Sequence, residues 1–220
     1  MPVYALRRLL ALMDDLATEL AAAYTTALSD FPEGLRRGVT LLLPKTPAPS
    51  ADPSAYRPIT LLPVLVRLFY KVLDQRLRAL LFGSEPPATS LFHQAQAGFT
   101  PGRSGHEQAT ILKQIASHYR AAYAAFLDIE KAFDSFGHAH LLDILQTRFA
   151  LDPQWLEVLR RLLPNNTTTI MGCAVPLGQG IFQGTSLSPT LCLAFLQDLA
   201  VVLADHILTH PDLFPPRPTA

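Results

Sequence analysis

Residues 126–134 read FLDIEKAFD, and this short segment carries the clearest chemical signal in the 220-residue chain. The apolar run at 123–129 predicts a buried strand, with Asp128 near its carboxyl end. Open α/β sheets place their ligand sites beyond the carboxyl ends of strands. A carboxylate there can bind Mg²⁺, which prefers one or two carboxylates together with substrate phosphates. For Asp128 taken alone, an ordinary surface residue that ends a strand is the alternative.

A glycine-rich segment follows later in the chain. Residues 176–189 read PLGQGIFQGTSLSP, a loop that runs into the capped start of a helix. Such a loop lets a nucleotide approach bare backbone amides. Its glycines lack the spacing of a dinucleotide-binding fingerprint, and the chain contains no Gly-x-x-x-x-Gly-Lys-Ser/Thr phosphate loop. An ordinary turn before a helix is the alternative here.

Basic residues are concentrated upstream of Asp128. The segments LLLPK and YRPIT place Lys45 and Arg57 on either side of a loop, and both side chains suit phosphate oxygens. Residues 34–127 carry 11 basic and four acidic side chains, whereas residues 128–220 carry five basic and nine acidic ones. This distribution suits a protein that binds polyphosphate with one part and a divalent cation with the other, although chance segregation of surface charge would look the same.

Hydrophobic periodicity predicts a helix-rich chain with few strands. The predicted helices cover residues 3–28, 63–82, 104–120, 139–149, 153–163 and 188–208. The predicted strands cover residues 39–43, 123–129 and 167–175. Asp152 followed by Pro153 is typical of a helix N-terminus.

The helix predicted at 104–120 has a clear start and one apolar face. Ser104 and Glu107 have the spacing of a capping box. Its apolar residues, Ile111, Leu112 and Ile115, are expected to point inward.

The composition excludes several classes of protein. With 49% apolar and 16% charged residues, the chain is not a charge-driven disordered protein. Arg7 and Arg8 interrupt the N-terminal apolar run, which is not a signal peptide, and no membrane span is expected. We therefore expect an intracellular protein, in cytoplasm or nucleus. Cys173 and Cys192 are too few for a disulfide framework and are expected to pack as small apolar groups.

Six segments, in this order, resemble the reverse transcriptase domain of non-LTR retrotransposons and, more distantly, that of group II introns. They read LLLPK, YRPITLL, KVLDQRL, QAGFTPGRS, FLDIEKAFDS and GQGIFQGTSLSP. The resemblance implies an α/β (α+β) fold with right-hand polymerase-like fingers and a partial palm, helix-rich with a small, incomplete palm sheet. It divides the chain into an N-terminal helix and fingers-like region at 1–122, a partial palm at 123–208 and a proline-rich tail at 209–220.

The resemblance also implies a reaction and its metal. Asp128 resembles the first catalytic carboxylate of the palm, which binds two Mg²⁺ ions, and the Ile129 carbonyl is a further ligand. The implied reaction is DNA synthesis on an RNA template, in which a DNA primer is extended with deoxynucleoside triphosphates. Two metals roughly 3.5–4 Å apart stabilise the attacking and leaving oxygens in such a reaction.

The same resemblance assigns five residues to substrate binding. Phe133 matches the aromatic side chain that crowds the sugar 2′ position and thereby favours deoxynucleotides. Gln183 and Gly184 match the motif that packs on the incoming nucleotide and the template. Lys45 and Arg57 match fingers residues that hold the triphosphate.

One element of the family pattern is missing. The family's third palm motif, an aromatic-Ala-Asp-Asp hairpin, has no counterpart in the 37 residues after Gln183, which contain no Asp-Asp pair. The segment Leu203-Ala204-Asp205-His206 has part of that motif's sequence, but its hydrophobic periodicity predicts a helix and not a hairpin. We expect a domain truncated before that motif that does not polymerise alone. A non-catalytic module that binds RNA or hybrid duplex, and a decayed retroelement remnant, are the alternatives.

Overall fold

The computed structural model describes residues 3–12, 16–29, 36–48, 50–83, 91–93, 96–118, 124, 126–164 and 166–209. These residues contain eight α-helices and four strands, joined by turns and loops. The helices are α1 (Val3–Leu12), α2 (Leu16–Ser29), α3 (Val64–Phe82), α4 (Gly105–His118), α5 (Ala132–Ser135), α6 (His138–Thr147), α7 (Pro153–Leu162) and α8 (Leu187–Thr209). The strands are β1 (Arg37–Pro44), β2 (Tyr56–Leu61), β3 (Asn166–Ile170) and β4 (Cys173–Leu177). This mixed composition confirms the predicted α/β class.

The strands form one sheet in the order β2-β1-β3-β4. β1 pairs antiparallel with β2 and parallel with β3, and β3 pairs antiparallel with β4. On the buried face, the hydroxyl of Thr40 hydrogen-bonds the hydroxyls of Thr60 at 2.8 Å and Thr168 at 2.7 Å. The sheet thus joins strands from both sides of the predicted division at residue 122, and that division stays a prediction.

The hydrophobic core lies where α3, α6, α7 and α8 meet. Its largest fully buried side chains include Leu77, Leu141, Leu145, Leu159 and Leu191. A polar contact also crosses this core, because the Thr190 hydroxyl donates to the buried carboxylate of Asp74 at 2.6 Å. The predicted helices at 63–82, 139–149, 153–163 and 188–208 are confirmed within two residues at each end.

The predicted strand at 123–129 is wrong for the residues described there, 124 and 126–129, which have no regular secondary structure. Phe126 and Leu127 are 83% and 76% exposed. An apolar run becomes a strand only where a neighbouring strand offers hydrogen bonds, and no strand of the described sheet pairs with these residues.

The single strand predicted at 167–175 is also wrong, because the chain turns back at Met171 and Gly172 to form the β3–β4 hairpin. Both turn residues have positive φ, +50° and +84°, as two-residue hairpin turns require. β2 was not predicted, since its sequence includes Pro58, and proline within a run argues against a central strand. As an outer strand of the sheet, β2 tolerates it.

The helix predicted at 104–120 is confirmed over 105–118, and the Ser104 hydroxyl accepts the Glu107 N–H at 3.2 Å. Its apolar residues do not point inward. Ile111, Leu112 and Ile115 are 40–48% exposed, because α4 makes at most sparse contacts with the other described elements.

Three smaller expectations concern the ends of the chain and the cysteines. The helix predicted at 3–28 is observed as the two helices α1 and α2. Residues 13–15 between them, and residues 210–220 of the predicted tail, lie outside the described part of the chain. Cys192 is buried as expected, whereas Cys173 is exposed at the start of β4. Among the described residues, no helix combines the length and the hydropathy that a membrane span requires.

Candidate functional site

A cavity of about 810 Å³ lies between the β1–β2 hairpin, the segment 128–134 and the glycine-rich loop. Five of the predicted site residues line it, namely Lys45, Arg57, Asp128, Phe133 and Gln183. The chain therefore brings together three motifs that are far apart in the sequence.

The basic wall of the cavity is built by the β1–β2 hairpin. Lys45 follows the last residue of β1, and its backbone N–H donates to the Ala55 carbonyl at 2.8 Å, which closes the connecting loop. Arg57 lies in β2 opposite Leu43 of β1. The antiparallel register thus places both cations at the same end of the hairpin.

A capped turn in that loop adds a carboxylate beside Lys45. The Asp52 side chain accepts the Ser54 N–H at 2.8 Å. Hydrogen bonds from the Ser54 side chain and backbone, helped by the charges of Lys131 and Lys45, lower the pKa of the Asp52 carboxyl. Asp52 is therefore charged at neutral pH and holds the loop in its turn conformation.

The acidic wall comes from residues 128–134. Asp128, Glu130 and Asp134 all line the cavity. Lys131 adopts the left-handed backbone conformation (φ +51°), and its carbonyl accepts the Asp134 N–H at 2.8 Å. This sharp turn starts the short helix α5 and directs the chain so that both acidic ends of the segment border the same space. Non-glycine residues with positive φ are uncommon and occur often at functional sites.

The glycine-rich loop packs directly on that turn. The Ile181 N–H donates to the Phe133 carbonyl at 2.7 Å, and the Gly180 N–H donates to the Phe136 carbonyl at 2.8 Å. Gly180 has φ +70°, and a Cβ there would lie 2.5 Å from the Phe133 oxygen. The ring nitrogen Nε2 of His138 donates to the Gly180 carbonyl at 2.6 Å, so His138 secures the loop.

Gln183 connects the sheet with the acidic wall. Its backbone carbonyl accepts the Thr60 N–H at 2.7 Å. Its side-chain nitrogen donates to both oxygens of Asp134, at 3.1 and 3.3 Å. Asp134 is not among the site residues predicted from the sequence, and its part follows only from this contact.

Two predicted site residues do not line this cavity. Ile129 is half-buried beside it, and its carbonyl is not among the cavity walls. Gly184 has φ +112° and lies so close to β2 that a Cβ would stand 2.9 Å from the Thr60 carbonyl oxygen. It lines a neighbouring cavity instead.

The donor set suits a cation that is shared with phosphate. No cluster of three or more His, Cys, Asp or Glu side chains that could hold a metal ion occurs in the described part of the chain. The exposed carboxylate of Asp128 fits Mg²⁺ nonetheless, because Mg²⁺ binds through one or two carboxylates, several waters and substrate phosphates.

Comparisons with known proteins identify the family of the chain. The family described as Reverse transcriptase (RNA-dependent DNA polymerase) matches residues 43–211. The Pol polyprotein of the type-2 retrotransposable element R2DM from Drosophila melanogaster is 30% identical over 172 residues, which are 74% of this chain and 15% of that protein. The RNA-directed DNA polymerase from mobile element jockey of the same species is 26% identical over 205 residues, which are 87% of this chain and 22% of that protein.

A third relative, the Pol polyprotein of a type-1 retrotransposable element R2 from Popillia japonica, is 31% identical over 170 residues, 73% of this chain and 22% of that protein. The chain spans less than a quarter of the length of each of these relatives. The family match covers most of the chain and includes both walls of the cavity. The chain therefore belongs to the reverse transcriptase family, and its relatives are the RNA-directed DNA polymerases of non-LTR retrotransposons.

Proposed function

We propose that the cavity binds a deoxynucleoside triphosphate together with Mg²⁺, as the nucleotide site of a polymerase domain that copies RNA into DNA. One observation carries this proposal: three cations, Lys131 among them, and three carboxylates face one cavity of about 810 Å³. A polyphosphate needs cations for its own charge, and a divalent cation needs carboxylates, so a cavity with both suits their complex.

The basic wall is assigned to the phosphates. Arg57 offers a planar fork that can bind two phosphate oxygens, while Lys45 offers a compact charge. The half-buried ring of Phe133 is assigned to the sugar, where its bulk disfavours a 2′-hydroxyl. Gln183 has its amide nitrogen engaged by Asp134, so its amide oxygen is left to accept a hydrogen bond from the nucleotide.

Asp128 is assigned to Mg²⁺, whereas the Ile129 carbonyl, which does not line the cavity, is left out of the proposed ligand set. When bound, Mg²⁺ supplies positive charge that stabilises the attacking and leaving oxygens of phosphoryl transfer. The contribution of the chain is to hold the triphosphate in one orientation and to keep fixed charges around it. The partners that follow are an RNA template and a DNA primer, held by a fingers-like region at 1–122 and a partial palm at 123–208.

The proposal is tested by the binding of a fluorescent deoxynucleoside triphosphate with and without Mg²⁺. Asp128→Asn should abolish the Mg²⁺-dependent part of the affinity. Lys45→Gln and Arg57→Gln should each weaken binding about 10-fold or more, since a hydrogen bond to a charged group contributes roughly 1.5–3 kcal/mol.

Asp143→Asn is the matched control, because Asp143 is an exposed carboxylate on α6 that does not line this cavity. Equal Mg²⁺ dependence in the Asp128 and Asp143 variants would overturn the proposal.

A second candidate function is binding of RNA or hybrid duplex without catalysis. It is favoured by the absence of a three-ligand metal cluster from the described residues. It predicts RNA binding whose affinity falls with salt, and an Asp128→Asn variant that binds RNA as well as the wild type or better.

A further inference from the structure

His138, the first residue of α6, contacts the glycine-rich loop through its side chain. The ring nitrogen Nε2 lies 2.6 Å from the carbonyl oxygen of Gly180, which is 42 residues away in the sequence. A carbonyl oxygen only accepts hydrogen bonds, so Nε2 must carry the hydrogen. The half-buried ring of His138 therefore joins the start of α6 to the loop.

The peptide group that His138 contacts is also held from its opposite side. This peptide consists of the Gly180 carbonyl and the Ile181 N–H, and the N–H donates to the Phe133 carbonyl at 2.7 Å. The carbonyl and the N–H of a planar trans peptide point in opposite directions. His138 and Phe133 thus hold the peptide between them in one orientation, an arrangement that we call the peptide clamp.

The backbone of Gly180 makes this restraint important. Gly180 has φ +70°, and glycine enters both positive and negative φ readily. The peptide that follows a glycine can consequently rotate at low conformational cost. Rotation would turn the Ile181 N–H away from the Phe133 carbonyl, and the hydrogen bond from His138 opposes it from the carbonyl side.

The peptide clamp lies between two residues of the proposed nucleotide site. Phe133 takes part in the clamp through its carbonyl, and its side chain lines the cavity of Asp128. Gln183 follows Gly180 by three residues and lines the same cavity. His138 itself does not line it. Loss of the clamp would therefore loosen Phe133 relative to Gln183 without removing a group from the cavity.

We propose that His138 is a positioning residue that sharpens the discrimination between deoxyribonucleotides and ribonucleotides. The inference rests on the proposed function, which assigns the Phe133 ring to the sugar. Exclusion of a 2′-hydroxyl is a steric effect, so it depends on a ring that cannot move aside, and a misplacement of about 1 Å is enough to weaken such an effect strongly. The peptide clamp restrains the backbone that carries this ring.

The test compares His138→Gln with His138→Asn. The side-chain nitrogen of glutamine is as many bonds from the backbone as the imidazole Nε2, whereas that of asparagine is one bond nearer. His138→Gln should therefore keep the contact with the Gly180 carbonyl, and His138→Asn should lose it.

The first measurement is the affinity for a fluorescent deoxynucleoside triphosphate and for its ribonucleoside counterpart, both with Mg²⁺. The ratio of the two affinities should fall about 3- to 10-fold in His138→Asn, the range expected for the loss of one hydrogen bond. It should keep its wild-type value in His138→Gln. A general loss of stability would weaken both nucleotides equally and leave the ratio unchanged, so the ratio separates positioning from stability.

The second measurement is amide hydrogen exchange at Ile181 without nucleotide. Exchange should be about 10-fold faster in His138→Asn than in the wild type, because the loop peptide opens more often once its carbonyl is released. His106→Asn is the matched control. It makes the same substitution at an exposed histidine of α4 that does not line the cavity, and it should change neither the ratio nor the exchange.

An unchanged affinity ratio in His138→Asn would overturn the inference, as would equal losses in His138→Asn and His138→Gln. If the wild type binds neither nucleotide, the proposed function fails, and the effect on sugar selection fails with it. Intact nucleotide binding in the wild type, together with unchanged exchange at Ile181 in His138→Asn, would count against the peptide clamp alone.

Discussion

The orientation of the Gln183 side chain depends on Asp134. Both carboxylate oxygens lie within hydrogen-bond distance of the Gln183 amide nitrogen. A carboxylate only accepts hydrogen bonds, so the amide nitrogen must face Asp134 and the amide oxygen must face away from it. Asp134 is therefore a positioning residue for Gln183, which is the residue proposed to meet the nucleotide.

Asp134→Ala should weaken nucleotide binding about 10-fold, measured with the fluorescent triphosphate. The direction of the change in affinity separates two effects of this substitution. Removal of a negative charge should by itself tighten the binding of a triphosphate, so a loss of affinity reports the loss of positioning. Glu130→Ala is the control, because Glu130 is an exposed carboxylate in the same cavity, and it should bind equally well or more tightly. Equal affinities in the two variants would contradict the positioning role.

The two cysteines should differ sharply in reactivity. Cys173 is exposed, whereas Cys192 is 3% exposed in α8, and burial raises the pKa of its thiol. The thiolate is the reactive form, so Cys192 should be protected both by its protonation and by its position. A chromogenic disulfide reagent should label one thiol quickly in the folded chain and the second only in denaturant. Cys173→Ser should remove the fast phase, and rapid labelling of both thiols would contradict this packing.

At the level of elements, the sequence predicted the helices well, because α3, α6 and α7 each have one apolar face that packs in the core. The strand predictions at 123–129 and 167–175 were wrong, because a strand forms only beside another strand. Residues 126–129 have the composition of a strand but no strand beside them in the described chain. The β3–β4 turn at Met171-Gly172 was missed because it lacks the Asn-Gly or Asp-Gly pair typical of two-residue hairpins. Strand pairing is a tertiary property that local composition does not specify.

The glycine-rich loop and α5 form a unit that depends on Gly180. Gly180→Ala should destabilise the chain by about 1–3 kcal/mol, because its φ is +70° and the new methyl group would meet the Phe133 and Asp134 backbone. Urea unfolding should show this as a lower midpoint with an unchanged slope.

Gly178→Ala is the matched substitution for the Gly180 experiment. A Cβ at Gly178 would meet no atom within 4 Å, and the residue lies in the same loop. Its unfolding midpoint should be close to that of the wild type. Similar losses in both variants would indicate that the loop needs glycine for general flexibility and not for its contact with α5.

At the scale of the whole molecule, five of the seven predicted residues line one cavity, and the sheet explains how they come together. β1 lies between β2 and β3, so the chain must pass from the hairpin through five helices before it returns beside its own first strand. That return brings the loop after β4 to the segment 128–134. The contact of Asp134 with Gln183 arises from this long-range packing, and local sequence patterns contain no signal for it.

The number of carboxylates in the Asp128 cavity bears on whether the chain can catalyse nucleotide transfer. A pair of metal ions between phosphates needs several anionic oxygens, and Asp128 alone supplies two. The sequence LADH in α8 does not supply the missing carboxylate pair, because Asp205 is an exposed residue within the helix. Among the described residues, the other carboxylates in the cavity are Glu130 and Asp134, and Asp134 is engaged by Gln183.

We therefore expect the purified 220-residue chain to bind a deoxynucleoside triphosphate with Mg²⁺ but not to extend a DNA primer on an RNA template. Extension is measured by gel electrophoresis of a labelled primer, with the Asp128→Ala variant defining the background. Incorporation at the level of that variant, alongside intact nucleotide binding in the wild type, is the expected result. Robust incorporation that disappears in Asp128→Ala would contradict it, and would mean that Glu130 or another carboxylate completes the metal site when template and primer are bound.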